Sequence, residues 1–75
     1  MTRYTALVIQ NEDNDIRCEG LGQDKETKKW AGAINLYHDG FFHTTLISTE
    51  AVFKTQESAI KCLEHIVTEV RQQPL

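Results

Sequence analysis

The sequence predicts an α+β domain: a four-stranded antiparallel sheet made of two hairpins, with one C-terminal helix packed on one face, in the order β-β-β-β-α. Three observations predict it. Two β-rich runs flank NEDND, a cluster of turn formers at residues 11–15. Two longer runs are joined by Asp39-Gly40, a pair suited to the positive φ angles of a type I′ turn. After Thr55 the apolar residues change to helical spacing.

The first hairpin pairs RYTALVIQ (residues 3–10) with IRCEGL (16–21). A turn at Asp13-Asn14 sets Ile9 opposite Cys18 and Leu7 opposite Gly20, with Leu7, Ile9, Ile16 and Cys18 on one side. GQDKETKK, polar and aperiodic, reads as a loop. In the second hairpin, Asp39-Gly40 places His38 opposite Phe41, Tyr37 opposite Phe42, Leu36 opposite His43, Asn35 opposite Thr44, Ile34 opposite Thr45 and Ala33 opposite Leu46. One face then gathers Trp30, Ile34, Leu36, His38, Phe41, His43 and Ile47, and the other Ala31, Ala33, Tyr37, Phe42 and Leu46. EAVF is a short extended piece. Thr55 is the expected N-cap of the helix, with Glu57 in its first turn and a Glu57/Lys61 pair on its surface. Ala59, Ile60, Cys62, Leu63, Ile66, Val67 and Val70 form one apolar stripe.

The chain of 75 residues forms a single domain, 1–75, with 1–3 and 72–75 expected to fray. A chain of this length buries only about 60% of its unfolded surface, so a second subunit, a metal or a disulfide is a common supplement. Eleven acidic against eight basic residues leave a net charge of −3, without the concentrated basic face that a phosphate backbone requires, which makes nucleic acid an unfavoured partner. No segment approaches the roughly 20 apolar residues of a membrane span, and no signal peptide is evident. Cys18 and Cys62, far apart and outside any CxxC pairing, suit a reduced cytoplasmic protein with both thiols buried as small apolar side chains.

FKTQESAIKCLEHI, residues 53–66, has an aromatic at a strand end, then a capping Thr, an acid, an Ala-Ile pair and an amphipathic helix. It resembles the exit segment of small bacterial sheet-plus-helix domains of unknown function, and is similar to the corresponding segment of HicB-type antitoxins, which wrap a toxin partner. The resemblance covers the last third of the chain and carries over no functional residues.

One helix about 10 Å wide spans two or three strands set about 4.8 Å apart, on one side only. The small side chains of Ala31 and Ala33 invite it onto their face, which would leave Trp30, Ile34, Leu36, Phe41 and Ile47 as an exposed apolar patch. The alternative is that the loop at 22–29 and EAVF fold over the open face. The patch points to a non-enzymatic protein-interaction module that forms a homodimer or binds another protein, with Trp30 and Phe41 as anchors. A second reading is a small regulator, antitoxin-like or nucleic-acid-associated, that masks another macromolecule with Trp30, Lys28 and Lys29 near the contact. A third is a metal-responsive protein through His38 and His43, diagonal neighbours with Cβ atoms about 6–8 Å apart. Two ligands do not complete a metal site. No catalytic motif, cofactor motif or small-molecule substrate site is evident.

Overall fold

The structure is a computed structural model and describes residues 1–74. Its elements run α1 (Arg3–Gln10), β1 (Asp15–Gln23), β2 (Trp30–His38), β3 (Phe41–Ser48) and α2 (Gln56–Gln72). The α+β class and the C-terminal helix agree with the sequence expectation, but the sheet has three antiparallel strands in the order β1-β2-β3. Among the described residues no helix is long and apolar enough to cross a membrane.

The missing strand is residues 3–10, which form α1. Their β-branched and aromatic content favours a strand, but a short apolar run is compatible with either period, and packing decides between them. Thr2 caps the helix by accepting a hydrogen bond from the Thr5 N–H at 3.1 Å. Ile9 is fully buried, while Tyr4 and Leu7 on the outer side are exposed. The end of α1 is bound to the end of α2: Gln10 Nε2 donates to the carbonyls of Val70 (2.9 Å) and Gln73 (2.7 Å), and Arg71 Nε donates to the Ile9 carbonyl (2.9 Å).

With residues 3–10 helical, β1 pairs with β2 and not with the N-terminal segment, setting Ile16 opposite Leu36, Cys18 opposite Ile34 and Gly20 opposite Gly32. The loop between them turns on Asp24, whose Oδ1 accepts from the N–H groups of Glu26 (2.8 Å) and Thr27 (3.0 Å). These donors favour the ionised carboxylate and lower its pKa. The β2–β3 turn is as expected, with φ of 51° at Asp39 and 82° at Gly40. His38–Phe41 and Tyr37–Phe42 hold, but His43 and Leu46 are then each one residue too many, so Leu36 meets Thr44, Asn35 meets Thr45, Ile34 meets Ile47 and Ala33 meets Ser48. The EAVF segment contributes a single bridge, Phe53 to Trp30.

α2 begins where expected, with the Thr55 hydroxyl accepting from the Ser58 N–H at 3.0 Å and Lys61 paired with Glu57 at 2.9 Å. It lies over β1 and β2, on the face opposite to the one expected. A Cβ built on Gly32 would stand 2.6 Å from Leu63 Cδ1 and 3.3 Å from Ala59 Cβ, so the helix is seated against that glycine. Ala31 and Ala33 are small, but Gly20 and Gly32, directly opposite each other, are smaller still and allow a closer approach. The buried apolar residues are Ile9, Ala33, Ile34, Ala59, Leu63 and Val70.

Candidate interaction surface

The change of face redistributes the residues expected to be open. Ile34 is fully buried in the core, Trp30, Leu36 and Ile47 are half-buried, and Phe41 is 77% exposed. Ile34 therefore cannot belong to a contact surface. The strand that α2 covers least is β3, because α2 packs mainly on β1 and β2. Phe41, Thr44 and Ile47 face the helix side, since they oppose His38, Leu36 and Ile34 of the regular strand β2.

The opposite face is not the greasy surface expected from Ala31, Ala33, Tyr37, Phe42 and Leu46. It carries a polar network centred on Asn35, only 4% exposed. Asn35 Nδ2 donates to Glu19 Oε2 at 2.6 Å, and Thr45 Oγ1 donates to Asn35 Oδ1 at 2.8 Å. The Tyr37 hydroxyl donates to the same Glu19 carboxylate at 2.8 Å. The Arg17 guanidinium, held by Asp15 at 2.9 Å, stacks 4.1 Å from the Tyr37 ring centroid, and Phe42 meets that ring edge-on at 6.1 Å. These contacts join all three strands and satisfy the amide that β2 buries at mid-strand. Sequence reasoning missed the network. Its one local signal was Asn35, a polar residue inside the run WAGAINLY.

Glu19 has a measurable consequence. Its hydrogen bond to the Tyr37 hydroxyl, with some burial and the nearby negative charge, holds that phenol above its ordinary pKa. Because the folded value is raised, the stabilisation is fully present below the pKa of an unfolded tyrosine and is lost as pH rises through the folded value. Glu19→Ala leaves the Asn35 amide without its acceptor and is expected to cost about 1–3 kcal/mol in urea unfolding. Spectrophotometric titration should show the Tyr37 transition moving down in the same variant.

His38 and His43 come to the same end of the molecule, lining a shallow recess of about 270 Å³ with Asn14, Leu36 and Tyr37. His38 Nε2 lies 3.4 Å from Asp39, both side chains in solvent. Among the described residues no three His, Cys, Asp or Glu side chains gather in a metal-binding group. A third ligand would have to come from Cys18, Asp39 or Glu19, and Glu19 is already engaged by Asn35 and Tyr37. Cys18 is half-buried, and burial raises its thiol pKa. Cys62, expected inside, is exposed because it lies at the margin of the helix stripe. Lys28 and Lys29 are exposed beside Trp30, on a loop that also carries exposed Asp24 and Glu26. Comparison with protein families, curated proteins and solved structures gives no match.

Proposed function

We propose that this chain is a non-enzymatic interaction module that self-associates through the β3 margin of its sheet. The observation that carries the reading is the contrast between the two edges. β1 bears Asp15, Arg17 and Glu19 along its length, the charged side chains by which sheet edges repel other strands. β3, FFHTTLIS, has no Asp, Glu, Lys or Arg, is the strand that α2 covers least, and exposes Phe41 by 77% and Phe42 by 58%. A long edge of this composition invites pairing. Of the residues named from sequence, Phe41 and Ile47 belong to this surface, with Trp30 and Leu36 at its border.

A second copy also suits the small size of the domain, whose own core has only a few large side chains to bury. Cys18 and Cys62, separate free thiols, fit a reducing compartment such as the cytoplasm. The masking of a nucleic acid is disfavoured by the net charge of −3 and by the acids interleaved with Lys28 and Lys29.

Sedimentation equilibrium tests the reading. Wild-type protein is expected to give a reversible monomer–dimer equilibrium in the micromolar range. Phe41→Asp is expected to weaken it at least tenfold while leaving the circular dichroism spectrum intact, since Phe41 makes little use of the monomer's core. A monomeric wild type, or an unaltered equilibrium in the variant, would overturn it.

A further inference from the structure

From the spacing of β3 we infer how the second copy binds: antiparallel, edge to edge, with the two-fold axis at Thr44, so that Phe41 of each subunit lies against Ile47 of the other. The inference rests on the self-association proposed above and specifies its geometry.

The extra residues His43 and Leu46 give β3 an unusual period. Along β2 the helix-side positions alternate, Ile34, Leu36 and His38, but their partners on β3 come every third residue, Ile47, Thr44 and Phe41. An ordinary strand with a two-residue period loses step with such an edge. A second β3 does not. Residues directly opposite in an antiparallel pair point to the same side, so pairing must bring helix-side positions together. Centring the axis on Thr44 does so throughout: Phe41 meets the other Ile47, Thr44 meets itself, and Ile47 meets the other Phe41.

The resulting contacts are of favourable kinds. Aromatic with β-branched and Thr with Thr are stabilising cross-strand pairs. The most exposed ring of this strand, Phe41, covers the half-buried Ile47 on the helix side, where β3 is the strand least covered by α2. The competing arrangement centres on Thr45 and uses the other face. It would set Phe42 against Ser48, and the Thr45 hydroxyl already donates to Asn35. Pairing about Thr44 joins two three-stranded sheets into one layer with both copies of α2 on the same side.

Cysteine trapping tests this geometry in protein whose native thiols are removed by Cys18→Ala and Cys62→Ser. Opposed residues at the axis have Cα atoms about 4.5–5.5 Å apart, within disulfide range. Thr44→Cys treated with diamide is expected to run mainly at doubled mass on a non-reducing gel, and Thr45→Cys mainly as monomer. In wild-type protein mixed from two isotope labels, intermolecular NOEs are expected between the Phe41 ring and Ile47 methyls. A monomeric wild type overturns both the self-association and this pairing. A dimer that cross-links preferentially at Thr45, or lacks the Phe41–Ile47 NOEs, overturns the pairing alone.

Discussion

Leu63→Ala is expected to lower the free energy of unfolding by about 2–5 kcal/mol, the range for truncating a buried leucine whose surroundings only partly collapse. A chain of 75 residues has a total stability of roughly 4–11 kcal/mol at the usual increment per residue, so this one change could remove most of it. Leu63 is fully buried between α2 and the sheet, directly over Gly32. Urea denaturation followed by circular dichroism measures the loss. A change below about 1 kcal/mol would mean that α2 is not seated as described.

Gly32→Ala is expected to destabilise by about 1–3 kcal/mol, as overpacking does. Replacing a glycine inside a strand ordinarily helps by restricting the unfolded chain. Here the added methyl would stand 2.6 Å from Leu63 Cδ1 and 3.3 Å from Ala59 Cβ. Leu63 cannot swing away, because it is enclosed, and Ala59 is fixed on the helix backbone. The two substitutions should therefore couple. In the Leu63→Ala background the space left by the leucine receives the new methyl, and Gly32→Ala should cost less there, by about 0.5–3 kcal/mol in a double-mutant cycle. Strict additivity would count against direct contact between the two positions.

What was legible in the chain depended on local chemistry. Thr55, with its side chain on the Ser58 N–H, and Asp39-Gly40, with their positive φ angles, announce the start of α2 and the β2–β3 turn within a few residues of sequence. Residues 3–10 follow a cap of the same kind, Thr2 on the Thr5 N–H, but their β-branched and aromatic content points to a strand. Their identity as α1 is settled by bonds to Val70, Arg71 and Gln73 at the other end of the chain, which no short window contains. The bulges at His43 and Leu46 were equally hidden, since TTLI suits a regular strand and a bulged one alike.

The candidate surface was read in part for the same reason. Alternation correctly puts Trp30, Ile34, Leu36, Phe41 and Ile47 on one side of the sheet. Which side the helix takes is decided by Gly20 and Gly32 meeting across two strands, a pairing that appears only once β1 is matched with β2. The Glu19–Asn35–Thr45 network likewise needs one residue from each of three strands before its logic can be seen.

The stitching of α1 to the far end of α2 makes one helix depend on another that is distant in the chain. Residues 3–10 are held by the carbonyls of Val70 and Gln73 and the guanidinium of Arg71, between 60 and 63 residues further along the chain. An eight-residue helix is marginal by itself in water. This helix therefore depends on α2 for its anchor, and docking it closes a loop of about 60 residues, an entropic cost that the three hydrogen bonds and the burial of Ile9 offset.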